Sequence, residues 1–330
     1  MKVLCVLNPL AADGAALKRW PQVAALLGEM GADHEVLADE RVPIGEHVLA
    51  RLGSGGAQSF GAIAGLGGDG THSAIINAIM QYRVRDPSAH VPPYAFIPLG
   101  TGNDMAKSFG LAARDDHLAR DMRRAVSTVL HGADYQLDLG LLDGHYFADA
   151  LTIGLDPHIL HERNVRRRAL SRIPLLRHIL RGQVLYTWCT GIRFWQQDPI
   201  SCEIRVDGRL WYAGTMINLL VNNTQIYAGE FCFYRNTYAN DGKLDVMLFT
   251  GHIDYLRKYL LASRHNPDSI QRLSERLNSI ASQVQGTEIE VRLSRTEAAQ
   301  VDGEELPSAD TFHVRVVPGA IRVKTPAEPM

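Results

Sequence analysis

The stretch Gly65-Leu66-Gly67-Gly68-Asp69-Gly70-Thr71 constrains this chain more than any other. Phe60-Gly61-Ala62-Ile63-Ala64 before it reads as a short buried strand. Ala74, Ile75, Ala78 and Ile79 after it recur at helical spacing, which predicts a helix from near Thr71. Strand, glycine turn and helix make a phosphate-binding arrangement, because glycines let the backbone come close and the N–H groups of a first helical turn attract an anion. Asp69 is the odd member. A carboxylate beside phosphates repels them unless it meets a cation or a hydroxyl, so it points to a metal-assisted or hydroxyl-reading role. A tight turn capped by Thr71 is the plain alternative. Residues 65–70 also satisfy the dinucleotide pattern G-x-G-x-x-G, with Asp86 near the place of the ribose-binding acid. That pattern would set Asp69 against a pyrophosphate, and it belongs to a later strand rather than the first, which argues against a nicotinamide site.

The rest of the chain alternates strand and helix up to about residue 133. Residues 3–7 are a continuous apolar run, as in a parallel strand covered on both faces. Asn8-Pro9 ends it, and Leu17, Trp20, Val23, Leu27 and Met30 mark one face of a helix. Strand 34–37, helix 45–52 and strand 94–99 follow, the last ending in a second glycine turn, Gly100-Thr101-Gly102-Asn103-Asp104. Helical patterns cover 104–109 and 116–131. Such alternation predicts an open α/β domain that binds ligand beyond the carboxyl ends of its strands, where both glycine turns and Asn8 would converge. From about 134 the pattern becomes one of short strands, with Asp143-Gly144, Asp207-Gly208, Asp241-Gly242 and Asp302-Gly303 as turn signals. An antiparallel β-sandwich with helical insertions at about 158–197 and 252–282 is the expected form.

At 330 residues the chain is long enough for two domains. Its net charge of -2 argues against a general nucleic-acid binder. Four scattered cysteines with no C-x-x-C pair fit a reducing cytoplasm and give no zinc site. The opening Met1-Lys2 and apolar run 3–7 are too short for a signal peptide, and no run reaches spanning length.

Together, Gly67-Gly68-Asp69-Gly70-Thr71, Pro98-Leu99-Gly100-Thr101-Gly102-Asn103-Asp104 and Val301-Asp302-Gly303-Glu304 resemble the diacylglycerol kinase catalytic family, in particular its bacterial soluble lipid kinases. The likeness extends from Asn8-Pro9 through Asp138 and Asn240-Asp241-Gly242-Lys243 to Lys324-Thr325-Pro326. It implies a phosphofructokinase/NAD-kinase-like α/β domain (1–133 with 319–330) and a β-sandwich lipid and metal domain (134–318), with ATP in the cleft between them. It further implies Mg²⁺-dependent transfer of the γ-phosphoryl of ATP to a lipid hydroxyl of diacylglycerol type. By the same resemblance Glu304 is the base that takes the hydroxyl proton, with Asp302 a neighbour that shares the task. A carboxylate suits this work because its proton affinity is tunable and it also orients the hydroxyl.

Asp69 would engage the nucleotide and its Mg²⁺, with Asn8, Gly67, Gly68, Gly70, Thr71 and Thr101 around phosphate and ribose. Asp104 would pair with Lys107 or the metal, and Lys107 stands where the family often has arginine. Asp241, with the carbonyls of Tyr238 and Lys243, matches a second, structural Mg²⁺ position, and a plain Asp-Gly turn is its rival. Departures from the family pattern are Ala74 for a glutamate, Ala38 for a threonine that touches nucleotide, and Asp149 for an asparagine. They keep a catalytically weak lipid-binding or regulatory relative in view, beside a kinase of a soluble alcohol resembling NAD kinase.

Residues 163–181 hold seven arginines and no acid among apolar residues, a pattern that sits on an anionic leaflet. With Tyr186, Trp188, Phe194 and Trp195 they are expected to border the lipid entrance. The resulting expectation is a cytoplasmic protein in peripheral contact with the membrane, able to form a homodimer, with no nucleic-acid partner.

Overall fold

The computed structural model describes residues 1–53, 56–111, 117–170, 183–229, 231–233, 237–262 and 283–326. Its first half is built on four parallel strands in the order β2-β1-β3-β4: β1 Lys2–Leu7, β2 Asp33–Leu37, β3 Ala62–Gly67 and β4 Tyr94–Pro98. Helices α1 (Ala15–Glu29), α2 (Ile44–Gly53), α3 (Asp69–Arg85), α4 (Asp104–Ser108) and α5 (Leu118–His131) accompany them. β1, β3 and β4 are buried almost throughout, as their unbroken apolar runs require when helices cover both faces.

β3 departs from the expected 60–64. It runs on through Gly65-Leu66-Gly67, pairing with Val6-Leu7 on one side and Phe96 to Pro98 on the other. Glycine is needed at 65 because a Cβ there would lie 2.0 Å from the Tyr94 hydroxyl and 2.9 Å from His72 Nδ1. The helix accordingly begins at Asp69, two residues earlier than its apolar periodicity suggests.

The second half is antiparallel. Its strands are β5 (Ala133–Leu142), β6 (His145–Phe147), β7 (Ala150–Gly154), β8 (Ile200–Val206), β9 (Arg209–Met216), β10 (Asn218–Asn222), β11 (Leu244–Phe249), β12 (Gln283–Gly286), β13 (Glu288–Val301) and β14 (Glu304–Thr325). Helices α6 (Leu155–Leu170), α7 (Gln183–Gln196) and α8 (His252–Leu261) are the insertions. Residues 171–182, within the arginine-rich segment, and 263–282, within the second expected insertion, lie outside the described residues, as does the side chain of Tyr186.

Three of the four Asp-Gly signals close hairpins, β5–β6, β8–β9 and β13–β14. In each, both residues have positive φ, at Asp143-Gly144, Asp207-Gly208 and Asp302-Gly303. That backbone twist matches the right-handed twist of the flanking strands. Asp241-Gly242 instead leads into β11.

The long β14 joins the two halves. Its first part pairs with β13 down to Glu288↔Arg315, and its last part pairs with β5 and lies parallel to β4 at Val323↔Tyr94. Hydrogen bonding therefore runs from the antiparallel half into the α/β half without a break. One core lies in the α/β half around β1, β3, β4, α3 and α5. A second fills the antiparallel half around β7, β8, β10, β11, β13 and β14, and a third, rich in aromatic rings, lies between β7, β10 and β11 and the helices α6, α7 and α8.

Candidate active site

The two glycine turns meet backbone to backbone. A Cβ on Gly100 would lie 2.2 Å from Gly68 Cα, so no larger residue fits without moving main chain. Asn103 holds the second turn in shape from a left-handed conformation (φ 57°), taking the N–H of Gly100 at 2.9 Å and donating to its carbonyl at 2.9 Å. Asn8 continues from the end of β1 and donates to Thr71 Oγ1 at 2.9 Å, which ties that strand to the first turn of α3.

Asp69 faces the second turn. Its Oδ1 accepts the N–H of Met105 at 3.2 Å, and the N–H groups of Asn103 and Asp104 also point to its carboxylate. One acid thus gathers the first N–H groups of α4, although burial still pushes its pKa up. A Cβ on Gly102 would lie 2.8 Å from Asp69 Oδ2, so this glycine too makes room for the carboxylate.

The Asp302-Gly303 hairpin reaches the same place from β13 and β14. Asp302 is buried and accepts three N–H groups, from Ala148 at 3.0 Å, Asp149 at 2.9 Å and Ala150 at 3.1 Å. Burial pushes its pKa up to about 7 against the pull of those bonds, and the charge of Asp69 adds to the rise. Glu304, two residues on, is exposed, and its Oε1 lies 3.6 Å from where a Cβ on Gly70 would stand. Protein around its carboxylate raises its pKa, with His145 pulling the other way. The next residue, Glu305, is bound to α6 through His161 Nδ1 at 2.7 Å and Asn164 Nδ2 at 2.7 Å. The structure therefore brings Asn8, Gly67, Gly68, Asp69, Gly70, Thr71, Asp302 and Glu304 together, with Thr101 exposed in the adjoining turn.

Asp104 and Lys107 are engaged across the halves. Asp104 Oδ2 accepts the N–H of Gly229 at 2.9 Å, and Lys107 Nζ donates to the Gly229 carbonyl at 3.1 Å. Ser108 Oγ accepts the N–H of Ile226 at 3.0 Å, so α4 grips one loop by three side chains. Asp149 is buried nearby, and Thr224 donates its hydroxyl to it. Burial first, then the charges of Asp104, Asp302 and Asp69, raise its pKa far above the carboxylate range. The positioning roles of Asn223 and Thr224 had no sequence pattern to announce them, and Asn103 stood inside the second glycine motif with no role assigned to it. Asn223 donates to the carbonyls of Asp138 and Ala148 at 2.7 and 2.8 Å.

Asp241 lies apart from this cluster. It is exposed, and its Oδ1 accepts the N–H of Lys243 at 2.9 Å, with Tyr238 also exposed. Asp138, buried beside it, accepts the N–H groups of Gly242 and Gly319, each at 2.7 Å. No group of three or more His, Cys, Asp or Glu side chains arranged to hold a metal occurs among the described residues.

A hollow of about 250 Å³ opens beside Asn8, lined also by Pro9, Leu37, Asp39, Ile44 and His47. Asn8 links it to the first turn of α3 through its bond to Thr71.

Residues 2–142 match the family model described as the diacylglycerol kinase catalytic domain. Over these residues the chain is similar to the diacylglycerol kinase catalytic family. Its sequence is 28% identical over 334 residues to the protein named Probable lipid kinase YegS in Salmonella gallinarum, covering 94% of this chain and 98% of that one. The namesake in Salmonella typhimurium matches at the same identity and coverage. Among solved structures, a diacylglycerol kinase from Bacillus anthracis str. Sterne superposes with a TM-score of 0.66 at 19% identity, over 98% of this chain and 96% of that one. The α/β and antiparallel halves of this chain thus share the fold of that protein.

Proposed function

We propose that this protein is an ATP-dependent lipid kinase that moves the γ-phosphoryl of ATP to the hydroxyl of a diacylglycerol-like acceptor. The observation that carries the proposal is the approach of Glu304 to Gly70, which puts a carboxylate of raised pKa at the mouth of a glycine-lined helix N-terminus. A phosphate held at that terminus and a hydroxyl held by Glu304 would be neighbours, which is the geometry in-line transfer needs. Glu304 is the base. Asp302, with three N–H groups on its carboxylate, is the residue that fixes the hairpin beneath it.

The nucleotide would place its phosphates over Gly67, Gly68, Gly70 and Thr71, with Thr101 beside them and the nucleoside toward the hollow at Asn8. Mg²⁺ fits this site as an ion brought with the phosphates. It ordinarily needs only one or two carboxylates from protein, and Asp69, Asp104, Asp149 and Asp302 converge closely enough that their mutual repulsion raises the pKa of Asp149, a repulsion that a cation would relieve. When bound it would neutralise the triphosphate, and Asp69 would hold it. Lys107 adds a positive charge beside the phosphates. Asp241, with the carbonyls of Tyr238 and Lys243, is proposed as the second, structural Mg²⁺ site. Its turn already folds residue 241 against residue 243. The proposed domain division sets 1–133 and 319–330 against 134–318, in keeping with the return of β14 to β4.

A lipid acceptor has to be met at a bilayer, and no helix among the described residues is long and apolar enough to cross one. Peripheral contact from the cytoplasmic side, by a monomer or a homodimer, completes the proposal. Incubation with labelled ATP, Mg²⁺ and a panel of lipid and soluble alcohols tests it. Label in a lipid product is the expected result. Label in a soluble phosphate ester alone would point to an NAD-kinase-like activity, and lipid binding without transfer to a non-catalytic relative.

A further inference from the structure

Helix α8 is built with its polarity reversed. Its inward side carries Tyr255 and Tyr259, whose hydroxyls donate to the buried Asp156 at 2.6 and 3.0 Å. Lys258, 1% exposed, donates from the same side to the Leu248 carbonyl and to Asp254. Asn218 and Tyr227 complete the shell around Asp156, each at 2.9 Å. Its outward side is Ile253, Leu256, Arg257 and Leu260, the i, i+3, i+4, i+7 positions of one face. Ile253 is 78% exposed and Leu260 80% exposed. A helix that satisfies its polar groups inside and leaves its aliphatic stripe in solvent is oriented for something other than water.

The surroundings say what that is. Trp195, at the end of α7 and 79% exposed, stacks on His252 at the start of α8, with ring centres 6.1 Å apart. Between them and Arg257 lies an open hollow of about 620 Å³. The chain from Arg163 to Trp195 contains eight arginines and no acidic residue, and Glu162 just before it pairs with Arg166 and Arg193. In its described part Arg166 lies over the Trp188 ring at 4.3 Å, and Trp188 is itself exposed. Aliphatic side chains beside exposed tryptophan, with Arg257 among them, match the layered chemistry of a leaflet: acyl chains, an interface that favours indole, and anionic headgroups. We infer that the face formed by Ile253, Leu256, Arg257 and Leu260 of α8, together with Trp195, docks on the surface of an anionic bilayer. The Asp156 shell holds that face outward. The inference rests on the lipid-kinase reading for its purpose, since a bound enzyme meets its acceptor in the leaflet, but the binding itself can be measured without turnover.

The test is co-sedimentation of the full chain with vesicles of phosphatidylcholine alone or mixed with phosphatidylglycerol, for wild type, Ile253→Ser/Leu260→Ser and Arg257→Glu. The same proteins are assayed on a short-chain, water-soluble diacylglycerol and sized by sedimentation velocity. The wild type is expected to pellet with the anionic vesicles, and each variant to bind about tenfold more weakly or worse while keeping its size and its turnover of the soluble acceptor. Equal vesicle binding by wild type and variants, or no binding by wild type, overturns the inference. A wild-type dimer that the serine variant converts to monomer also overturns it, because the face would then join two copies of the chain. Vesicle binding lost in the variants, with no phosphorylation of any acceptor by wild type, leaves the docking face standing and removes the kinase reading.

Discussion

Oε1 of Glu304 lies 3.6 Å from the point where a Cβ on Gly70 would stand, so the Asp-Gly-Glu hairpin closes directly over the first helical turn of α3. Two stretches separated by more than two hundred residues meet there because β14 leaves the antiparallel half and ends against β4. Glycine at 70 keeps the gap between carboxylate and helix open.

Two glycine substitutions are therefore expected to differ in kind. Gly70→Ala meets Glu304 Oε1 at ordinary contact distance, so the fold should hold while the acceptor hydroxyl loses room, and turnover falls with little change in Tm. Gly100→Ala drives a methyl to 2.2 Å from Gly68 Cα and should cost about 1–3 kcal/mol of stability. Thermal melts beside steady-state rates separate the two.

Lys107 is expected to serve both the fold and the nucleotide. Its bond to the Gly229 carbonyl, beside the Asp104 bond to the Gly229 N–H, clasps α4 to the loop from the other half. Lys107→Met should lower the Tm of the nucleotide-free protein, at a cost of about 1–3 kcal/mol for a charge-assisted hydrogen bond. It should also raise KM for ATP. A raised KM with no shift in Tm would mean that the clasp contributes nothing.

Stability should depend on pH through the buried acids. In the folded chain Asp302 titrates at about 7 instead of 3.8, and Asp149 is raised in the same direction. The folded state keeps protons that the unfolded state has released, so stability is complete below pH 3.8, falls as pH rises toward about 7, and flattens for Asp302 beyond that. Asp149→Asn carries the neutral form permanently and retains an acceptor for the Thr224 hydroxyl. Urea titrations in chelator, without nucleotide, should show this variant losing less stability than wild type between mildly acid and mildly alkaline buffer. A steeper loss in the variant would contradict the protonated state of Asp149.

Much of this architecture was legible in the sequence because the signals were local. Asp143-Gly144, Asp207-Gly208 and Asp302-Gly303 need positive φ at both positions, and such pairs supply it cheaply. The continuous apolar runs of β1 and β4 announced parallel strands in the same way. The end of β3 was harder to read. Gly65 and Gly67 look like turn residues, yet they lie within the strand because Tyr94, His72 and Thr71 occupy the space a side chain would need.

Roles that depend on distant partners were not legible. Asn103 is a positioning residue only because Gly100 lies against Gly68, and Asp149 is driven toward its neutral form by its burial, with Asp104, Asp302 and Asp69 converging on it. By resemblance the family often has asparagine at 149, and a protonated aspartate restores that neutral character. The reversal of α8 was likewise hidden, since its tyrosines and lysine read as surface residues until Asp156 and the Leu248 carbonyl are seen beneath them.

The most direct test of the central claim is the rate of phosphoryl transfer from ATP to a diacylglycerol acceptor by Glu304→Gln, measured beside wild type at saturating nucleotide. Loss of a positioned base predicts a fall in kcat of about 10²–10⁴-fold, with KM for ATP and Tm nearly unchanged. Wild-type turnover in this variant would contradict the assignment of Glu304 as the base.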